Sequence, residues 1–233
     1  MDRRPLRPIR PQLVGARRRP GHWFIRIPHL EAFLRLMHKG ALAAFAGLFV
    51  ATHAVYAQMQ QTAQPTLPAN LAATRAALDK YQDPIAAIRD GYFSTVGCVD
   101  YPKGGGGEGL MPYKVGGMGV HFLNPALIGP TLDSLKPQVL IYEPVGDHLK
   151  LVAAEWFMPT ALSKEAPTVF GQKLDGPMEG HAPILPAELH HWDLHVWLWK
   201  PNPNGLMHPT NSNIHCSDGP YTFHEMATKM VDH

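Results

Sequence analysis

The residues from His190 to Trp199, His-His-Trp-Asp-Leu-His-Val-Trp-Leu-Trp, place three imidazoles, one carboxylate and three indoles in ten positions. Histidine and aspartate ligate transition metals through nitrogen and oxygen, and they also build buried polar networks. Read as a strand, the segment puts His191, Asp193, His195, Trp197 and Trp199 on one face. Trp192, Leu194, Val196 and Leu198 then form an apolar face that belongs in a core. The Trp and Val content favours a strand over a helix. At a rise of about 3.3 Å per residue, His191 and His195 have Cα atoms about 13 Å apart, which two imidazoles barely span to one ion. Either a bulge shortens that distance, or one of the pair is a ligand and the other a neighbour. Asp193 stands midway and reaches either histidine easily.

Further donors come from other segments. His121 ends a predicted strand over 120–123, Glu155 lies in a predicted strand over 149–157, and Glu143 precedes Pro144. His181 follows Gly180 in a long loop, the type of segment that often carries function. The preferred metal set is His121, Glu155, His191 and His195. Asp193 is a ligand or the acceptor of an imidazole N–H that fixes its tautomer, and Glu143 and His181 are the alternatives. Each residue also has an ordinary structural reading. His121 suits a hydrogen-bonded core, Glu155 the solvent face of an edge strand, and Glu143 a strand end, whereas His181 in its glycine-flanked loop is also a lid candidate. His148, His208, His215, His224 and His233 read as solvated or part of a polar tail.

Three or four N and O donors without a thiolate suit Zn, Fe, Mn or Cu(II), and an open position would polarise water or bind oxygen. No nucleophile elbow and no His-Glu-x-x-His helix occurs. The glycine run Gly104 to Gly107 lacks the Gly-Lys-Ser/Thr ending of a phosphate loop.

The N-terminal residues are set apart from the fold. Residues 1–36 hold nine arginines against Asp2 and Glu31, and Arg17-Arg18-Arg19 lacks a twin-arginine continuation. Met37-His38-Lys39 is a basic start, Gly40 to Val50 an apolar run of signal-peptide length, and Val55-Tyr56-Ala57 a cleavage site. The reading is a leader over 1–57, a linker over 58–69, and one globular domain over 70–233. An uncleaved anchor is the alternative, although the run is shorter than the roughly 20 apolar residues of a membrane span. Without the leader, 11 Lys and Arg stand against 17 Asp and Glu, a net charge of −6 in place of +2. That acidity argues against nucleic acid as a partner and leaves a small molecule or metal ion. Residues 1–36 read as a long basic n-region or as sequence upstream of a start at Met37.

Export to the periplasm or outside the cell exposes Cys98 and Cys216 to oxidising conditions, so the two are expected to pair. Two free thiols, or two ligands of a soft metal, are the alternatives. The elements that must position the donors follow. An Ala-rich helix is predicted over 71–81, and Asp83-Pro84 caps a second to about Arg89. Strands over 139–143 and 149–157 flank a hairpin turn at 145–148. Residues 159–186 read as a long loop, and 223–230 as a short C-terminal helix. The class is α+β, with N-terminal helices packed on a curved antiparallel sheet or small β-barrel.

Several segments together resemble a group of small exported bacterial proteins to which no activity is assigned. They are Asn124-Pro125-Ala126-Leu127 after His121, Tyr142-Glu143-Pro144, Glu155-Trp156-Phe157, Phe170-Gly171, Asp175-Gly176-Pro177-Met178, Gly180-His181 and His191 to Lys200. The likeness covers most of 70–216, including Cys98 and Cys216, and implies export and one compact domain. A looser likeness is to cupin barrels, which gather His and Glu from adjacent strands. The chain departs from their His-x-His pattern, since Asp193 stands two residues from each of His191 and His195. Two functions follow. One is an exported metal-binding protein, an oxidoreductase or hydrolase. The other is a non-catalytic ligand-binding or structural protein with an aromatic-lined pocket.

Overall fold

The computed structural model describes residues 67–232. The leader over 1–57, its cleavage after Ala57 and all but the last three residues of the linker lie outside the described residues, as does His233.

Helix α1 (Ala69–Leu78) buries Leu71, Thr74 and Leu78, the one-face spacing of an amphipathic helix. A 3-10 turn over Asp79–Gln82 then places Tyr81 in the core. Helix α2 (Pro84–Arg89) starts as its sequence predicts. Proline stands where no backbone N–H is needed, and the Asp83 carboxylate accepts from the Ile85 N–H at 2.9 Å.

The strands are β1 (Phe93–Tyr101), β2 (Gly116–Leu123), β3 (Val139–Val145), β4 (His148–Pro159), β5 (Thr168–Val169), β6 (Gln172–Lys173), β7 (Asp175–Met178), β8 (His191–Val196) and β9 (Thr222–His224). Seven form one curled sheet in the order β7-β8-β4-β3-β2-β1-β9, antiparallel except for the β1–β9 pair. β5 and β6 make a separate hairpin. The sheet dominates, so the α+β expectation holds only to the extent of two short helices beside a curved sheet.

Both faces of β3 and β4 are buried, which is why these strands read as near-continuous apolar runs. One face packs Leu140, Tyr142, Trp156 and Leu194 against Leu71, Leu78 and Tyr81 of the helical layer. Tyr142 secures the contact by donating its hydroxyl to the Tyr81 carbonyl at 2.8 Å. The other face carries Val139, Ile141, Ala153, Phe157 and Trp197, and also the candidate donors.

Three segments differ from expectation. Residues 223–230 are not helical. Thr222–His224 instead pairs with β1, and the chain continues as a strap to the opposite edge of the sheet. There Met230 bridges Met178, and the Val231 N–H donates to the Pro177 carbonyl at 2.9 Å. β-Branched and aromatic residues at 222 and 223 outweigh the weak helical pattern once a sheet edge is available. Residues 159–186 are not all loop, because Asp175–Met178 adds an edge strand to β8. Pro177 is tolerated there because an edge strand needs no second row of N–H donors.

β1 was not legible, and its register shows why. A bulge between Ser94 and Cys98 contains Val96 at φ 72°, which breaks the two-residue alternation. Gly97 within it is required, since a Cβ there would lie 1.7 Å from the Phe223 ring of β9.

Cys98 and Cys216 form a disulfide, closing a loop with a sequence separation of 118. The expected pairing is therefore present, and it anchors the segment leading into β9 beside β1. Replacing both cysteines with alanine should lower the unfolding free energy by about 4–5 kcal/mol, the chain-entropy value for so long a loop. Urea denaturation at neutral pH measures it. A loss below about 1 kcal/mol would show that the bridge restrains little that packing does not already hold.

Candidate metal centre

Four imidazoles and two carboxylates meet on the sheet face turned away from the helices. Glu155 of β4 is directly opposite His195 of β8 and, on its other side, opposite Val139 of β3. His121 of β2 pairs with Ile141 of β3 on the same face, and the curl of the sheet brings its ring over to Glu155. The first group is therefore His121, Glu155 and His195. Glu155 Oε2 lies 3.5 Å from His121 Nε2 and 3.7 Å from His195 Nε2.

The second group is His181, His191 and Asp193. Asp193 Oδ2 lies 3.6 Å from His191 Nε2 and 3.9 Å from His181 Nε2. His191 and Asp193 follow from the alternation of β8, whereas His181 arrives from the loop between β7 and β8. That loop is fixed by Gly180, where a Cβ would stand 1.9 Å from the Pro186 carbonyl oxygen. The Leu185 N–H donating to the His181 carbonyl at 2.8 Å closes its turn. Within each group the potential ligand atoms lie within 4.8 Å of one another, and all six residues are buried.

These separations decide what the groups can be. Contacts of 3.5–3.9 Å are too long for hydrogen bonds. Donors arranged tetrahedrally about an ion, with bonds near 2.1 Å, stand about 3.4 Å apart. Six of the buried side-chain atoms without a hydrogen-bond partner belong to these groups. They are His121 Nδ1, Glu155 Oε2, His191 Nε2, Asp193 Oδ1 and both nitrogens of His195. Each unsatisfied buried group costs about 1–3 kcal/mol, so six together approach the whole net stability of a domain. Native folds seldom carry such a concentration without a ligand to answer it.

The tautomers favour ligation. His191 Nδ1 lies 3.1 Å from the Leu189 carbonyl, which can only accept, so that nitrogen carries the hydrogen and Nε2 turns its lone pair towards Asp193. His181 Nδ1 meets the hydroxyls of Tyr101 at 3.1 Å and Thr228 at 3.0 Å, leaving Nε2 for Asp193. His195 directs Nε2 to Glu155 and Nδ1 to Asp193 Oδ1 at 3.9 Å. The His195 Nδ1 and Asp193 Oδ1 atoms face one another without a hydrogen bond between them.

Burial sets the protonation states. It holds His121 down to about 3, helped by the neighbouring His195 and His181, and His195 down to about 4. It also lowers His181. These rings are neutral near pH 7, the form that binds metal. Burial, with the negative charge of Asp193 behind it, pushes Glu155 well above the usual carboxylate range. Burial works to raise Asp193 as well, but the close approach of the His181 and His191 rings, with His195 beside them, outweighs it and holds this carboxyl below its ordinary value.

Both groups open onto a cavity of about 190 Å³ whose apolar walls include Phe93, Leu123, Val139, Phe157, Ile184 and Leu185. His121, Glu155, His181, His191 and His195 line it too. An ion held by either group would face an apolar chamber.

The preferred four-residue set is thus divided. His121, Glu155 and His195 come together as expected, but His191 belongs with Asp193 and His181. The strand rise keeps His191 and His195 apart, and β8 has no bulge between them to relieve it. His181, the alternative ligand, is a member of the second group. Glu143 is in neither. Its carboxylate is 2.5 Å from Lys200 Nζ and also accepts the His215 N–H, so it ties the end of β3 to the segment after β8. Trp197 stays on the donors' side of the sheet and Trp199 joins the helical layer, but neither lines the cavity. Trp197 donates to the His208 carbonyl, and Trp199 packs with the helical layer and donates to Asp79. The expected aromatic lining is supplied by Phe93 and Phe157.

Sequence reasoning missed Tyr101, Thr228 and the Leu189 carbonyl as partners of the histidines. The first two reach His181 only through β1 and the C-terminal strap, and nothing in their local pattern signals it. Comparison with family models, curated proteins and solved structures finds no match for the chain. The functional reading accordingly rests on the donors themselves.

The protonation states predict an acid-sensitive contribution from the two buried rings of the metal-free chain. Below about pH 6.5 the unfolded form takes up protons that folded His121 and His195 refuse until about pH 3–4, so their contribution to stability falls with pH across that window. Glu155, Asp175 and Glu225, which burial raises in the fold, work the other way above their ordinary values. The histidine contribution is therefore read as the difference between the wild type and a His121→Gln, His195→Gln double variant, and should change by about 1–2 kcal/mol per pH unit for each ring. Urea unfolding of both chelator-treated proteins between pH 4.5 and 6.5 checks this, with the wild type losing more stability, or gaining less, on acidification than the variant. Parallel profiles for the two proteins would contradict it.

Proposed function

We propose that the chain is an exported metalloprotein in which His121, Glu155 and His195 hold a divalent transition metal that acts on a small, largely apolar molecule in the adjoining cavity. The observation that carries this reading is that Glu155 Oε2 and His195 Nε2 are buried without hydrogen-bond partners and stand, with His121 Nε2, at distances suited to coordination and too long for hydrogen bonds. Two imidazoles and one carboxylate, with no thiolate, suit Zn, Fe, Mn or Cu(II), and this donor set leaves coordination positions open. In the cavity such an ion would polarise water for hydrolysis or bind dioxygen for oxidation. Apolar walls exclude bulk water and select the substrate class.

Export is supported by the disulfide, which persists in oxidising compartments, and by the signal-peptide pattern over 37–57. Among the described residues no helix is long and apolar enough to cross a membrane. Removing the leader leaves an acidic chain, which disfavours nucleic acid as a partner. The apolar cavity walls also favour a second reading, in which the protein binds a small apolar ligand and performs no chemistry.

Metal analysis of the untagged protein by inductively coupled plasma mass spectrometry separates the two. The metalloprotein reading expects a transition metal at the His121 group, with affinity reduced at least about 10-fold by Glu155→Gln or His121→Gln. Protein that stays metal-free after incubation with Zn(II), Fe(II), Mn(II) and Cu(II), yet binds an apolar fluorophore in the cavity, would favour ligand binding without metal chemistry.

A further inference from the structure

The second group carries an inference of its own. We propose that His181, His191 and Asp193 form a separate ion site, so that the chain takes two equivalents of a divalent transition metal at positions joined through His195 and Asp193.

The three donor atoms, His181 Nε2, His191 Nε2 and Asp193 Oδ2, are as close-set as those of the first group. His191 and Asp193 are 0% and 1% exposed, and His191 Nε2 and Asp193 Oδ1 have no hydrogen-bond partner. Both outer nitrogens are already fixed. The His191 Nδ1–H donates to the Leu189 carbonyl, and His181 Nδ1 meets the Tyr101 and Thr228 hydroxyls. With Nδ1 so engaged, each ring turns Nε2 inward. Partners of this kind, outside the ligands, orient imidazoles at metal centres. Without a cation, the His191 lone pair faces a carboxylate oxygen at 3.6 Å, an acceptor against an acceptor.

One ion cannot serve both groups. His191 and His195 are four residues apart on an extended strand, about 13 Å between Cα atoms. No ligand atom is shared either. His195 offers Nε2 to the first group and Nδ1 to Asp193 Oδ1, while Asp193 offers Oδ2 to the second. The two groups therefore meet where the His195 ring faces the Asp193 carboxylate at 3.9 Å, unlike a pair of ions bridged by one oxygen. Asp193 would ligate one ion and position the ligand of the other.

Titration of chelator-treated, untagged protein with Co(II), followed by absorption and calorimetry and repeated with Zn(II), tests this. The expected wild-type result is two equivalents. His181→Gln, a substitution in a loop, should remove one and leave the other at wild-type affinity, and His121→Gln should remove the complementary one. Asp193→Asn should abolish the second ion and weaken the first by about 10–100-fold. A single equivalent in the wild-type chain overturns the proposal whether or not any variant folds. If that equivalent is lost in His121→Gln and kept in His181→Gln, the first centre stands and the second is absent. The reverse pattern keeps this site and removes the first. No uptake of either metal rejects both.

Discussion

Two carboxylates and four imidazoles are buried on one face of an apolar sheet, and each must be matched by positive charge or by a hydrogen bond. The surrounding protein supplies few of those matches. Among the described residues no Lys or Arg pairs with the six side chains of either group, and several ligand atoms have no partner. Burial penalises an uncompensated carboxylate by far more than a surface ion pair could return. A divalent cation would compensate in one step what would otherwise need several protons on buried rings. The rest of the architecture holds these donors in place.

That architecture fixes the donors from several directions. β4 and β8 provide Glu155, Asp193 and His195 through direct cross-strand register. The helical layer covers the opposite face, so that Trp156 and Leu194, neighbours of Glu155 and Asp193 in sequence, are locked in a core. The C-terminal strap joins the two outer strands and brings Thr228 to His181. The Cys98–Cys216 bridge holds the start of that strap against β1. Side chains supported in this way keep their geometry without a ligand, which lowers the ordering cost when one binds.

Much of the site was legible because its chemistry is periodic. The alternation through His191, Asp193 and His195 placed three donors on one face, and the hairpin signal at 145–148 located the strand that carries Glu155. Strand rise also showed that His191 and His195 could not share an ion unaided. What sequence could not give was the partition of donors. The pairing of His121 with Glu155 depends on sheet curl, and that of His181 with Asp193 on a loop folded back over the sheet. β1 was hidden by its own bulge at Val96, and the C-terminal strand by residues too few to show a period. Glu143 resembled Glu155 in its local pattern, but the distant Lys200 gave it a different role.

The most direct measurement is a crystal structure of protein soaked with Zn(II), with anomalous differences recorded at the zinc edge. The account predicts an anomalous peak bonded to His121 Nε2, Glu155 Oε2 and His195 Nε2 at about 2.0–2.2 Å. An empty position, with Glu155 drawn into ordinary hydrogen bonds to His121 and His195, would contradict it.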